Sequence, residues 1–203
     1  LTALGYLSQE TGTRRFQPTI RIALLGAWLI EDAGRTQNPS TMMRRLSAAT
    51  GDMILLGTQQ GMNAVYVKIE QATNPIRFHM KQGACRPLCT TAIGRALLSG
   101  KSDTEIGAIV RRANAEREAG DPLVSPTEVI EAVRQGRTQG YFLTKGMGTP
   151  GAVVIAMRLE GRSDHPPLAV GIGAPIDRIE RELSHFVELL RKEVEQAAPR
   201  TAG

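Results

Sequence analysis

The stretch Pro87-Leu88-Cys89-Thr90-Thr91-Ala92-Ile93-Gly94-Arg95-Ala96-Leu97-Leu98-Ser99-Gly100 places two hydroxyl side chains between a proline and a run of helix-forming residues. This pattern predicts a helix with Thr90 or Thr91 as its N-cap and with Gly100 closing it in a left-handed conformation. The free amides at such a helix start attract an anion. Most capped helices bind nothing, so the stretch alone predicts a helix and only permits an anion site.

The composition describes an ordinary globular protein. The chain has 203 residues, of which 41% are hydrophobic and 22% charged, enough for one domain of usual size and a short additional segment. No run approaches the roughly 18 apolar residues of a membrane span, and no secretion signal is visible. We therefore expect a cytoplasmic protein without a membrane partner. The chain lacks an initiator methionine and opens as if inside a helix, so we expect a preceding segment.

The two cysteines, Cys85 and Cys89, are too few for a disulfide framework. With only His79 nearby and no second cluster of cysteine and histidine, they are also too few for a metal site. We therefore predict neither a metal nor a cofactor.

The hydrophobic periodicity predicts helices and strands in a simple order. A hairpin of residues 6–8 and 14–17 is followed by an apolar helix over 18–34, which would pack either on its own domain or on a second copy of the chain. Beyond this helix, the pattern predicts the following elements: a helix over 38–51, strands over 53–57, 64–69 and 76–80, helices near 91–99, 103–113 and 126–138, strands over 140–144, 152–159 and 168–175, and a long final helix. This order predicts an α+β domain with one central antiparallel sheet flanked by helices.

One face of the last predicted strand carries no side chains, because Gly171 and Gly173 alternate with apolar residues. Bare glycines in a strand leave room next to the sheet. Together with the loop over 144–151 and the capped helix, they are the expected walls of a pocket.

The stretch over 87–98 resembles the signature of the IclR family of bacterial transcription regulators, and the order of the surrounding elements agrees over the whole chain. Gly140-Tyr141, Gly151, Ile155-Ala156 and Ala174-Pro175 fall where the later strands of that family lie. The resemblance implies three parts. Residues 1–17 would be the end of a winged helix-turn-helix domain, with the tail of the recognition helix and the wing. Residues 18–35 would be a linker helix used in dimerisation, and 36–203 an effector-binding domain with a GAF-like fold.

The resemblance also implies a small organic acid as effector, with its carboxylate at the amides that follow the hydroxyl residues. In this chain these are the amides of Ala92 and Ile93, directly after Thr91. The other polar contacts of the family are commonly an acid, a cysteine and two serines. The aligned positions here are Thr144, Val154, Gly171 and Gly173.

These four residues depart from the family pattern, because three hydrogen-bonding side chains and one charge are lost. The glycines should add volume and Val154 apolar surface, so we predict a bulky or aromatic acid and not a two- or three-carbon keto acid. Phe78 and Leu88 complete the predicted apolar walls. Arg86 is either the bidentate partner of the carboxylate or a simply exposed arginine.

A regulator of this family would also contact DNA and assemble as a homodimer or tetramer. The net charge of +5 permits contact with nucleic acid without requiring it. Arg14 and Arg15 on the predicted wing are candidates for phosphate contacts, which position a protein without reading sequence. Since at most the last turn of a recognition helix is present, we expect weak, salt-sensitive DNA binding.

Two other functions compete with this hypothesis. The candidates for a catalytic nucleophile or base are Cys89, His79, His165 and His185, but they have no recognisable catalytic spacing, so we predict that the chain is not an enzyme. The second rival is a pure interaction module whose apolar linker helix and final helix only form oligomers.

Overall fold

The N-terminal segment forms a small hairpin. A computed structural model of the chain describes residues 1–10, 12, 15–22, 24, 38–146, 150–161 and 165–198. Strands β1 (Leu7–Gln9) and β2 (Phe16–Pro18) pair antiparallel, which confirms the predicted hairpin. Residues 20–22 and 24 are helical. The remainder of the predicted linker helix lies outside the described residues, and the assignment of the hairpin to a wing stays a prediction.

The domain that follows is built on one sheet. Its elements are α1 (Pro39–Thr50), β3 (Met53–Gln60), β4 (Asn63–Glu70), β5 (Cys85–Pro87), α2 (Ala92–Leu98), α3 (Asp103–Glu116), α4 (Pro126–Gln139), β6 (Phe142–Lys145), β7 (Ala152–Leu159), β8 (Leu168–Pro175) and α5 (Ile176–Ala197). The six strands from β3 to β8 lie in the order β5-β4-β3-β8-β7-β6, and every neighbouring pair is antiparallel. The predicted α+β class with a central antiparallel sheet is confirmed.

The predicted strand over residues 76–80 is wrong. The strand beside β4 is β5, because the backbone of Tyr66 pairs with the residues just before β5: its amide donates to Ala84 at 3.0 Å and its carbonyl accepts from Gly83 at 2.8 Å. The edge of β4 is therefore already occupied. Residues 71–84 form a loop instead, which lies over the sheet.

Helices α1 and α5 cover one face of the sheet, which we call the closed face. Alternate strand residues point to opposite faces, so this face receives Ile54, Ile155, Val170 and Ile172, which pack with the fully buried Phe186 of α5. The apolar side of the long amphipathic helix α5 packs against the closed face.

Helices α2, α3 and α4 lie on the other face, the open face. Its buried side chains include Leu55 from β3, Leu88 from the turn before α2, and Ile93 and Leu97 from α2 itself. From β8 this face receives Ala169, Gly171 and Gly173, the small residues of the strand.

Helix α2 begins as predicted and ends differently. Thr91 is the N-cap, and its hydroxyl accepts from the amide of Gly94 at 3.1 Å. The helix ends at Leu98 with Ser99 as C-cap in a right-handed conformation, so the left-handed closure expected at Gly100 is wrong. A Cβ on Gly94 would lie 1.9 Å from the carbonyl oxygen of Leu88. Only glycine lets α2 approach the turn in front of it so closely.

Candidate functional site

A cavity opens on the open face between the start of α2, the sheet and the loop of residues 71–84. It contains about 560 Å³ of empty space, its opening to solvent included. Most of its wall is apolar, formed by Met53, Phe78, Met80, Ala92, Ala152, Val153, Val154 and Gly173. The polar side chains of the wall are those of Tyr66, His79, Arg86, Thr91 and Thr144. We call this space the effector cavity, after the ligand that the family resemblance implies.

One row of residues across four strands forms the floor of the effector cavity. The register places Thr144 opposite Val154, Val154 opposite Gly173, and Gly173 opposite Met53. The structure thus brings together three of the four positions that the family pattern singled out, and all three line the cavity.

The fourth position, Gly171, lies one row further along and does not line the cavity. A Cβ there would lie 2.7 Å from the carbonyl oxygen of Ile155 and 3.1 Å from Cδ1 of Ile93. A Cβ on Gly173 would lie 3.1 Å from Cε of Met53. The expectation that both glycines add free volume is therefore wrong at Gly171, where Ile93 fills the space, and depends at Gly173 on the flexible Met53.

Leu88 and Ile93 are buried in the core of the open face, with no exposed side-chain surface, and neither is among the residues that line the cavity. Both therefore act first through packing. The backbone amide of Ile93 makes no hydrogen bond within the described part of the chain, in contrast to its two neighbours in α2.

Those neighbouring amides already have protein acceptors. The amide of Ala92 donates to Oγ1 of Thr144 at 3.2 Å, and the amide of Gly94 donates to the Thr91 hydroxyl. The Thr91 hydroxyl in turn donates to the carbonyl of Pro87 at 3.0 Å. Thr91 is thus fully engaged in capping, whereas Thr144 keeps its hydroxyl proton available for a ligand.

Arg86 and Tyr66 are diagonal neighbours on the open face, because Arg86 pairs with Ala64, two residues before Tyr66. Arg86 is half-buried and lines the cavity, so it is more enclosed than a simple surface arginine. Its one hydrogen bond in the described structure runs from Nη1 to the carbonyl of the adjacent Cys85 at 3.2 Å. Its guanidinium retains free donors for an anion.

Sequence reasoning missed Tyr66. Its side chain is 3% exposed, and burial raises the pKa of its phenol while the positive charge of Arg86 acts to lower it. The signal was present in the sequence: alternation along β4 puts Ala64 and Tyr66 on the same, buried face. A buried phenol needs a hydrogen-bond partner, which could have marked it as a candidate.

The loop of residues 71–84 covers the effector cavity with Phe78, His79 and Met80. Hydrogen bonds hold its beginning to the end of α1: the amide of Thr73 donates to the carbonyl of Gly51 at 2.9 Å, and Nδ2 of Asn74 donates to the Asp52 carboxylate at 2.9 Å. The cover of the cavity is therefore attached to the helix that follows the predicted linker.

The four candidates for catalysis are not gathered at one place. His79 is exposed at the cavity mouth, whereas His185 lies beside Phe186 on α5 and His165 in the turn before β8. Cys89 is buried, and burial raises the pKa of its thiol, which keeps it protonated and weakly nucleophilic at neutral pH.

Two features are absent from the described residues. They contain no group of three or more histidine, cysteine, aspartate or glutamate side chains placed to hold a metal ion. None of their helices is long and apolar enough to cross a membrane. Of the two arginines predicted to contact DNA, Arg15 is exposed beside β2, and Arg14 lies outside the described residues.

Comparison with solved structures defines the class of domain: the fold is that of the effector domain of a transcriptional regulator. The effector domain of the putative transcriptional regulator IclR from Acinetobacter sp. ADP1 superimposes with a TM-score of 0.71 at 26% identity, covering 86% of this chain and 96% of that chain. A putative IclR transcriptional regulator from Silicibacter sp. TM1040 gives a TM-score of 0.75 at 19% identity, covering 98% and 82% of the two chains.

The family follows from sequence comparison. Residues 35–198 match the profile of the family described as bacterial transcriptional regulator IclR C-terminal. The chain belongs to this family. It is 27% identical over 192 residues to the HTH-type transcriptional regulator KdgR of Escherichia coli (strain K12), covering 94% of this chain and 73% of that relative. The KdgR of Dickeya chrysanthemi is also 27% identical, and the chain spans 63% of its length.

Proposed function

We propose that the chain is the ligand-sensing portion of an IclR-type DNA-binding regulator whose effector is a small organic acid. The observation that supports this most is the effector cavity, which combines an apolar wall with free hydrogen-bond donors and contains no carboxylate in its described lining. Such a site favours an anion with an apolar body. Regulation and not catalysis is the role that this arrangement suits.

The apolar wall favours a bulky or aromatic acid. Met53, Phe78 and Val154 face the cavity, and each Å² of apolar ligand surface that they bury contributes about 25 cal/mol. The proposed polar contacts are Arg86 and Thr144, with Thr91, Ala92 and Gly173 shaping the site around them. Leu88, Ile93 and Gly171 support the site by packing.

The proposed mechanism is a shift between two arrangements of the molecule. An acid that contacts the loop of residues 71–84 changes the stability of its contacts with Gly51 and Asp52 at the end of α1. Because α1 follows the predicted linker helix over 18–35, one arrangement of paired chains would be favoured, and with it one spacing of the DNA-binding domains. Within this chain, Arg14 and Arg15 would contribute phosphate contacts only.

Titration of the protein with a panel of acids tests the proposal. Benzoate and phenylacetate are expected to raise the melting temperature and to bind in calorimetry, whereas pyruvate and glyoxylate are expected to bind weakly. Val154→Asp places a negative charge in the row and should abolish the binding; Thr138→Asp, on the exposed surface of α4, is the matched control. No response to any acid contradicts the proposal, and tight binding of pyruvate alone contradicts its aromatic part.

The second candidate function is a module that only forms oligomers. It is favoured by exposed apolar side chains in the N-terminal segment, namely Leu1, Leu4, Phe16, Ile20 and Leu24. Surfaces of this kind are covered by a partner in many proteins. An oligomer whose mass and stability do not change with any acid of the panel would support this alternative; dimers or tetramers that also bind an acid would support the regulator.

A further inference from the structure

We propose that Tyr66 and Arg86 together form the carboxylate-binding end of the effector cavity, with the Tyr66 hydroxyl as a hydrogen-bond donor to the acid. This inference rests on the proposed function and assigns the orientation of its ligand. It places the carboxylate beside strands β4 and β5, and not on the amides at the start of α2.

The Tyr66 hydroxyl is buried and unused. Tyr66 is 3% exposed and lines the cavity, yet its hydroxyl has no hydrogen-bond partner among the residues that the structure describes. A buried hydroxyl without a partner destabilises the protein. A ligand that accepts a hydrogen bond removes this penalty, so the cavity is more stable with an acceptor beside Tyr66.

Arg86 supplies a positive charge near the Tyr66 hydroxyl. Arg86 extends from β5 on the same face as Tyr66. Its positive charge acts to lower the pKa of the Tyr66 phenol. Among the described residues, no carboxylate forms an ion pair with Arg86. Two adjacent donors, one of them cationic, match the two oxygens of a carboxylate.

The start of α2 is a weaker anion contact than Tyr66 and Arg86. Helix α2 has only seven residues, so its dipole is short. Its amides at Ala92 and Gly94 already donate to Thr144 and Thr91, and Ile93, whose amide has no acceptor among the described residues, does not line the cavity. Tyr66 and Arg86 therefore hold more unused hydrogen-bonding capacity than the helix start.

The test compares Tyr66→Phe, which removes one oxygen atom, with Tyr141→Phe as the matched control. Tyr141 is partly buried but packs toward the closed face, outside the effector cavity. Calorimetry with benzoate is expected to show binding weakened about tenfold or more in Tyr66→Phe and unchanged in Tyr141→Phe. Equal affinity in both variants overturns the inference and leaves the proposed function intact.

A second pair of variants tests the charge. Arg86→Gln should weaken the binding of benzoate about tenfold or more, because the ion pair is lost, but should change the binding of uncharged benzamide little. Arg111→Gln, on the exposed surface of α3, is the control for net charge. If Arg86→Gln weakens both probes equally, or neither, Arg86 does not hold the carboxylate.

A measurement without any ligand tests the state of the Tyr66 hydroxyl independently of the proposed function. If the Tyr66 hydroxyl is unpaired in the free protein, its removal should not lower the urea midpoint of unfolding below that of Tyr141→Phe. A clearly lower midpoint means that the hydroxyl has a partner in the free protein, which overturns the inference. If the unliganded result is as expected but no carboxylate binds the wild type, the proposed function falls and the assignment falls with it.

Discussion

Helices cover both faces of the sheet, but the two faces are used differently. On β8, Val170 and Ile172 point to the closed face, whereas Gly171 and Gly173 point to the open face. The 22-residue α5 seals the closed face, and the seven-residue α2 covers only part of the open face. One strand thus contributes large residues to the apolar core on one side and a glycine, Gly173, to the cavity on the other.

The closed face is also secured at its edge. Nε of Arg178 lies 2.7 Å from the carboxylate of the buried Asp52, and its guanidinium lies 5.6 Å from the ring centre of Phe186. The side chain of Asn74 shares the same carboxylate. The loop of residues 71–84, which covers the cavity on the open face, is therefore attached to the ion pair of Asp52 and Arg178 at the edge of the closed face.

The largest effect is expected from Phe186→Ala, which removes the biggest fully buried side chain of the closed face. The lost contacts and the cavity left behind should lower the free energy of unfolding by about 3–5 kcal/mol. Urea unfolding followed by circular dichroism measures this loss. Phe16→Ala, whose ring is exposed on the N-terminal hairpin, is the control and should change little. A loss below about 1 kcal/mol for Phe186→Ala would show that the closed face is not the main source of stability.

The next effect is expected at α2 on the open face. Gly94→Ala would bring a Cβ against the backbone of Leu88, so the helix must move and the free energy of unfolding should fall by about 1–3 kcal/mol or more. Gly107→Ala is the matched control in α3, where the nearest atom is the flexible end of Arg111 at 3.3 Å. This control should be neutral or stabilising by up to about 1 kcal/mol, because alanine favours the helix. Equal effects in both variants would contradict the close packing of α2.

A smaller effect on stability is expected from Phe78→Ala in the loop that covers the cavity. Because the ring is only partly buried, the free energy of unfolding should change by about 1 kcal/mol or less, but the affinity for aromatic acids should fall about tenfold. Ile76→Ala is the control in the same loop, since that side chain is 79% exposed. Calorimetry on both variants decides whether the cover takes part in binding; unchanged affinity in Phe78→Ala would remove this residue from the site.

The smallest effect is expected at Asp103, which joins α3 to α4. Hydrogen bonds from Arg134, and to a lesser degree from Arg137, lower the pKa of its carboxyl below the ordinary value of 3.8. A lowered pKa means that the contribution to stability is complete above pH 3.8 and is lost as the pH falls through the folded value. Asp103→Asn should therefore have a slightly lower urea midpoint than the wild type at pH 7.

Acid titration completes this test. The difference between Asp103→Asn and the wild type should shrink on acidification and vanish once the carboxyl is protonated in both folded and unfolded states. Asp121→Asn, in the loop between α3 and α4, is the control and should show no such pH dependence. A difference that stays constant down to low pH would assign the effect to packing and not to charge.

Much of the fold could be predicted from sequence because local signals and burial agree there. The cap at Thr91, the alternating glycines at 171 and 173 and the amphipathic α5 each follow from one segment. The strand expected over residues 76–80 failed because the competition for the edge of β4 is decided by tertiary pairing, with Gly83 and Ala84 as the partners.

The site was harder to predict for the same reason. The row of Thr144, Val154 and Gly173 depends on the register between three strands. The family pattern supplied these three positions. Two facts of the site arise from packing between distant segments. Ile93 fills the space beside Gly171, and Tyr66 lies near Arg86 with a hydroxyl that has no partner among the described residues. No local pattern contains them.

The close contact of Gly94 with the carbonyl of Leu88 has a consequence for how the family can diversify. The signature around Thr91 owes its glycine and its hydroxyl to architecture, since both are engaged in holding α2 against its own turn. The residues proposed to distinguish one acid from another, such as Tyr66, Phe78 and Arg86, belong to other segments. In this chain, the proposed chemical preference can therefore change by substitution at these residues without disturbing the packing at the start of α2.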